Sequence, residues 1–162
     1  MNKLRTKRII CTHEEEIKAP LDQIFPLLCP VEELKWIDNW QYQLVYTDSG
    51  VNENNCIFRE GMSGAVLFDS PVTIMWITTL HDPDSRIQFV LICGEMAVIK
   101  FDIELQDQGN GISSIQFKFT YTPLKEEGAV DETTEGKLMA ILTFLATSLK
   151  HYCETGELLK MS

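Results

Sequence analysis

The sequence lacks the motifs that mark a metal, nucleotide or covalent-catalysis site. Its five cysteines are widely spaced, and no Cys-x-x-Cys pair occurs. No glycine-rich segment matches a phosphate-binding loop or a dinucleotide fingerprint, and no Gly-x-Ser-x-Gly motif is present. These absences predict free thiols in a reducing compartment, no metal site and no cofactor.

Basic residues are few: 14 Lys and Arg stand against 24 Asp and Glu in 162 residues, giving a net charge of −10. Such a charge repels nucleic acids, so we expect no nucleic-acid partner. No apolar run approaches the roughly 20 residues that cross a bilayer, which predicts no stable membrane insertion. The apolar stretch after the basic segment Met1–Arg8 is too short for a signal peptide. We therefore expect one cytoplasmic domain spanning residues 1–162.

Alternating apolar and polar residues predict a half-buried antiparallel sheet. The pattern is clearest from Ile99 to Leu105 and from Ile115 to Tyr121, on either side of a Gly-Asn-Gly turn. Weaker segments of the same period bring the number of predicted strands to about six or seven. The segment Gly61–Gly64 is predicted to be a loop, and a mobile lid that includes Met62 and an ordinary surface loop are its two alternatives.

Helical periodicity appears in two places. Pro20 and Pro30 each begin a short predicted helix after the first strand. Apolar residues from Leu138 to Tyr152 recur at i, i+3, i+4 and i+7, which predicts one long amphipathic C-terminal helix that ends near Gly156. The predicted class is therefore α+β, with a curved antiparallel sheet wrapped round a long C-terminal helix.

This order of elements, with particular residues in it, resembles the START-related, Bet v 1-like (SRPBCC) superfamily, also called the polyketide cyclase/dehydrase and lipid transport group. The resemblance covers almost the whole chain. The residues that carry it are Ile17–Pro20, Ile24–Pro30, Glu33, Trp36–Ile37, Trp40, Ser49–Gly50, Cys56, Trp76, His81–Pro83, Thr120–Leu124 and Gly128. His81 departs from the family pattern, in which a tyrosine commonly precedes Asp-Pro.

The resemblance implies a helix-grip fold with an apolar cavity between sheet and helix. Members bind lipids, sterols, polyketides or plant hormones, and a few catalyse ring closure or dehydration. Aromatic and aliphatic residues of the sheet and helix are the expected cavity lining, although packing of an ordinary core would use the same residue types. The expected lining residues are Trp36, Trp40, Trp76, Thr78, Phe89, Phe101, Phe117, Phe119, Leu142 and Leu145.

His13 and Glu15 are the candidate catalytic residues. Strand parity places both on the face that holds Cys11, so they form a hypothetical inward polar pair. A buried carboxylate costs several kcal/mol unless it is paired. A structural role near a strand end is the alternative for each residue.

Three functions remain open from the sequence. The first is binding or transport of a hydrophobic, lipid- or polyketide-like molecule in an internal cavity. The second is a polyketide cyclase or dehydratase that uses His13 or Glu15 for proton transfer. The third is a protein-interaction module whose cavity is filled by side chains. An apolar ligand is the expected partner, and a homodimer is left open.

Overall fold

A computed structural model of the chain describes residues 7–68, 71–126 and 130–161. Gly128 and most of the basic N-terminal segment lie outside the described residues. The described part has seven strands, and all neighbouring strands in the sheet are antiparallel. In chain order they are β1 Ile9–Ile17, β2 Tyr42–Tyr46, β3 Ile57–Glu60, β4 Ile74–Asp82, β5 Arg86–Cys93, β6 Ala97–Gly109 and β7 Ile112–Pro123.

The strands form one sheet in the order β1-β7-β6-β5-β4-β3-β2. Residues along β5 and β7 alternate between buried and partly buried, because successive side chains point to opposite faces. The predicted turn between β6 and β7 is confirmed: Asn110 and Gly111 both have positive φ, at 57° and 74°. The sheet therefore has one dry face to cover.

A long helix, α3, covers that face from Thr134 to Thr155. It ends where predicted, at Gly156, whose φ of 75° and bond to the Tyr152 carbonyl close the last turn. Near this end, the Glu154 carboxylate accepts a bond from the Lys18 backbone N–H at 2.9 Å, and the Lys150 ammonium donates to the Glu16 carbonyl at 2.6 Å. These bonds fasten α3 to the end of β1.

Short helices follow β1, as predicted. The first, α1, spans Leu21–Ile24 and continues into a 3₁₀ turn over Phe25–Leu27, because Pro26 cannot donate the bond that an α-helix needs. A second 3₁₀ turn spans Glu32–Lys35. The predicted α+β helix-grip architecture is thus confirmed, with seven strands, short helices after β1 and a long C-terminal helix.

The prediction of a loop at Gly61–Gly64 is wrong. Residues Met62–Phe68 form a helix, α2, which begins immediately after β3. The side chain of Glu60 accepts the Ser63 backbone N–H at 3.1 Å, and this bond satisfies a donor in the first turn. Gly64 is buried because α2 approaches the backbone of Val72 closely there. The glycine marks close packing of a helix, not a flexible loop.

Candidate functional site

A cavity of about 220 Å³ lies between the sheet, α2 and α3. Its lining is apolar except for Glu33 and Ser63, and it includes all three tryptophans of the chain. Among the described residues, no Lys, Arg or His belongs to this lining. The apolar lining residues are Leu28, Trp36, Ile37, Trp40, Met62, Val66, Trp76, Phe101, Ile103, Phe117, Ala140, Ile141, Phe144, Leu145 and Met161.

The cavity opens where α2 faces α3. Val66 on α2, Ala140 on α3 and Met161 in the C-terminal segment all belong to the lining and are all exposed to solvent. The rest of the lining is buried or partly buried. A ligand can therefore enter between the two helices without displacing the buried aromatic residues.

The structure places six of the ten expected lining residues on the cavity wall: Trp36, Trp40, Trp76, Phe101, Phe117 and Leu145. The other four lie outside the lining. Phe89 packs behind Trp76 with the ring centroids 5.1 Å apart, and Phe119 packs against Phe101 at 4.7 Å. Leu142 is fully buried in the core. Strand and helix periodicity identify the inner face, but they do not tell which inner residues reach empty space.

Thr78, the fourth of these residues, has a structural contact instead. Its hydroxyl donates to the side-chain oxygen of Asn52 at 2.6 Å, and the Asn52 amide donates to the Leu28 carbonyl at 3.1 Å. Thr78 and Asn52 are both buried. The two bonds tie β4 to the loop at Asn52 and to the turn after α1, at the edge of the cavity.

Thr78→Val is expected to lower the free energy of unfolding by about 1–3 kcal/mol, because it leaves the buried Asn52 oxygen without a donor. The matched control is Thr79→Val on the same strand, where an exposed hydroxyl is removed and the change should stay within about 0.5 kcal/mol. Urea denaturation measures both. Equal stability of the two variants would contradict the structural role of Thr78.

His13 and Glu15 form the predicted pair but lie outside the cavity lining. The His13 Nε2 and Glu15 Oε2 atoms are 2.9 Å apart, and about a quarter of each side chain is exposed. Their strand, β1, lies at the edge of the sheet next to β7. The structure therefore gives neither group a contact with a ligand held in the cavity.

Glu33 is the one ionisable residue of the lining in the described part of the chain, and sequence reasoning did not select it as a site residue. Its side chain is buried, and its Oε2 atom has no hydrogen-bond partner among the residues that the structure describes. Burial, and then the negative charge of Glu60, raise the pKa of Glu33 to about 8. At neutral pH the cavity therefore contains a carboxylic acid that is mostly protonated.

Glu60 lies next to the lining and has a different environment. One of its oxygens accepts the Ser63 backbone N–H at 3.1 Å, and the other accepts the Trp76 indole N–H at 3.3 Å. Burial raises the pKa of Glu60, and these two donors oppose that rise because they favour the carboxylate. Glu33 therefore holds its proton up to a higher pH than an ordinary glutamate, whereas the Glu60 carboxylate is stabilised by two N–H donors.

Both glutamates could have been found from periodicity. Trp36, Ile37 and Trp40 follow Glu33 by three, four and seven residues. In a helical turn this spacing places Glu33 on the same buried face as the three apolar residues. Glu60 continues the inward series of Cys56 and Phe58 at a spacing of two. An acidic residue in register with a buried aromatic face is the signal that identifies them.

The polar atoms of the other two tryptophans are already bound within the protein. The Trp36 indole N–H donates to the Leu27 carbonyl at 2.7 Å, and the Trp40 indole N–H donates to the Pro30 carbonyl at 2.9 Å. These bonds fix both rings, so each offers the cavity an apolar surface. The described residues contain no group of three or more His, Cys, Asp or Glu that could hold a metal ion.

No protein-family model and no curated protein matches the sequence. Solved structures do match. A START superfamily protein from Mycobacterium smegmatis is similar at a TM-score of 0.66, with 13% identity over 90% of this chain and 97% of that one. Ginseng major latex-like protein 151 from Panax ginseng is similar at a TM-score of 0.64 and 16% identity. That match covers 91% of this chain and 97% of the ginseng protein.

This chain has the helix-grip fold of the START-related, Bet v 1-like superfamily. DynU16, a protein of the dynemicin biosynthetic locus, is also similar, at a TM-score of 0.66 and 14% identity over 91% of this helix-grip chain. The chain spans about half of that protein, 48% of its length. Among the described residues of the helix-grip chain, no helix is long and apolar enough to cross a membrane.

Proposed function

We propose that this helix-grip protein binds an apolar small molecule, lipid- or polyketide-like in character, in the cavity between the sheet, α2 and α3. The observation that carries the proposal is an open cavity of about 220 Å³ whose wall is almost entirely aromatic and aliphatic. Pockets of this character, with few polar groups, are typical of small-molecule sites. The three tryptophans supply rigid apolar area, which gives binding energy at a small loss of side-chain freedom.

Two further observations support binding over the alternatives. An interaction module would have its cavity filled by side chains, whereas this cavity has open volume and a mouth between α2 and α3. Proton transfer through His13 or Glu15 would require these groups to reach the ligand, and neither lines the cavity. Binding needs only the apolar wall and the opening.

The test places a larger side chain at the mouth. Ala140→Phe narrows the opening at an exposed position of α3, so the fold should tolerate it. We expect at least a tenfold loss of affinity for 6-bromo-2-naphthol, measured by isothermal titration calorimetry. The control is Thr147→Phe, an exposed position on the same helix that is outside the lining.

The proposal fails if Ala140→Phe and Thr147→Phe bind the naphthol as tightly as the wild type. It also fails if the wild-type protein binds none. Circular dichroism checks that both variants keep the wild-type secondary structure.

A further inference from the structure

The lining of the cavity has a buried polar group that no atom of the described residues satisfies. The Oε2 atom of Glu33 is buried and has no hydrogen-bond partner within the described part of the chain, and Glu33 is one of the residues that line the cavity. The backbone of the same residue is fully used: its N–H donates to the Cys29 carbonyl, and its carbonyl accepts from Trp36 and Ile37. A buried carboxylate oxygen without a donor is unfavourable, and more so when it is charged, so a ligand that supplies a donor would be stabilised there.

We propose that Glu33 binds the ammonium group of an apolar amine whose ring system occupies the cavity. This inference rests on the proposed binding function and names the ligand class of the same site. It follows from the charge distribution around Glu33, from the aromatic wall and from the volume of the cavity.

The charges near Glu33 favour a cation over an anion. Glu60 is the neighbouring acidic group, and the Ser63 and Trp76 N–H donors favour its carboxylate form. Within the described ranges, no Lys, Arg or His lines the cavity to balance this negative charge. Once Glu33 is ionised, a ligand carboxylate would therefore meet repulsion in an environment of low dielectric, whereas an ammonium group would be attracted to Glu33 and to the neighbouring Glu60.

The aromatic wall favours the same charge. Trp36, Trp40 and Trp76 line the cavity together with Glu33, and the faces of indole rings attract ammonium groups. A neutral alcohol or ketone gains one hydrogen bond from Glu33 and little from the rings. The combination of three indoles with an unpaired carboxyl group therefore discriminates in favour of an amine.

The volume limits the ligand to a small ring system. A cavity of about 150 Å³ is sufficient for benzene. The present cavity, at about 220 Å³, suits a ligand of about two rings with a short amine-bearing arm.

Three probes with the same ring test the inference: 2-(1-naphthyl)ethylamine, 2-(1-naphthyl)ethanol and 1-naphthylacetic acid. Calorimetric titrations at about pH 8.5 keep the amine protonated and Glu33 largely ionised. We expect the amine to bind at least tenfold tighter than the alcohol, and the acid to bind weakest. Glu33→Gln should lower amine affinity at least tenfold and leave alcohol affinity within about threefold, which also shows that the variant is folded.

Glu32→Gln is the matched control, because Glu32 is the adjacent residue, lies outside this lining and pairs with Lys35. It should keep the wild-type preference for the amine. Equal binding of the amine and the alcohol, tighter binding of the acid, or an amine preference that survives in Glu33→Gln would overturn the inference and leave the proposed function standing. Failure of all three probes to bind the wild type would overturn both.

Discussion

The Glu33→Gln variant is expected to lose the fall in stability that the wild-type protein shows between about pH 5 and pH 8. The ordinary pKa of a glutamate is 4.5, and the pKa of Glu33 in the folded protein is about 8. Between these values the folded state keeps a proton on Glu33 that the unfolded state has released. Since the folded state binds more protons, the free energy of unfolding decreases as the pH rises through this window.

The expected pH-dependent change in the free energy of unfolding is large for a single side chain. Each pH unit within the window lowers the free energy of unfolding of the wild type by up to about 1.4 kcal/mol. The difference in this free energy between wild type and variant should therefore change by a few kcal/mol from pH 5 to pH 8. Below pH 4.5 the contribution vanishes, because the carboxyl group is protonated in both states. Burial of the glutamine amide changes the free energy of unfolding by an amount that does not depend on pH. The quantity to compare is therefore the slope of this free energy against pH, and not its absolute value.

Urea denaturation at intervals of pH provides the measurement. Glu32→Gln is again the control and should follow the wild-type pH dependence, because Glu32 is partly exposed and paired with Lys35. If the Glu33→Gln and wild-type curves stay parallel from pH 5 to pH 8, Glu33 is not buried as the structure shows it.

Gly64→Ala is expected to lower the free energy of unfolding by about 2–4 kcal/mol, although alanine favours a helix. A Cβ atom at this position would overlap the carbonyl oxygen of Val72 and lie 2.8 Å from its carbonyl carbon. These are backbone atoms, so the clash is relieved only if α2 moves away from this segment. Because Met62, Ser63 and Val66 of α2 line the cavity, ligand binding should weaken as well.

The control is Gly136→Ala on α3, where an added Cβ meets no atom within 4 Å. That variant should be more stable than the wild type by about 0.5–1 kcal/mol, since alanine has the higher helix propensity. Urea denaturation compares both. If Gly64→Ala is also stabilised, α2 does not approach Val72 closely.

Much of the fold could be predicted because it depends on periodicity. The alternation in β6 and β7 and the i, i+3, i+4 pattern of α3 each reflect one buried face, and the positive φ values at Asn110, Gly111 and Gly156 fall where turn chemistry predicts them. The failure at α2 has a physical cause. Two glycines in four residues suggest a loop, but the reason for Gly64 is the nearby backbone of Val72, which local sequence does not reveal.

The candidate site was predicted only in part. Periodicity placed Trp36, Trp76 and Phe101 on the inner face, but the same rule selected Phe89, which fills space behind Trp76. Whether an inward residue meets a cavity or a neighbour depends on the distances between layers, which the sequence pattern does not contain. Glu33 was overlooked because Glu32 and Glu33 together look like a solvated acidic pair, whereas only Glu32 remains partly exposed with a cationic partner.

The central claim is that an apolar molecule binds in the cavity, and tryptophan fluorescence tests it most directly. All three tryptophans line the cavity, so the protein has no tryptophan that reports from elsewhere. The bromine of 6-bromo-2-naphthol quenches indole emission on contact. Titration with this compound should therefore give stoichiometric, saturable quenching, and the affinity obtained from the curve should be at least tenfold lower in Ala140→Phe. Quenching that stays linear in the naphthol concentration and is unchanged in Ala140→Phe would mean collision from solvent only, and would contradict the claim.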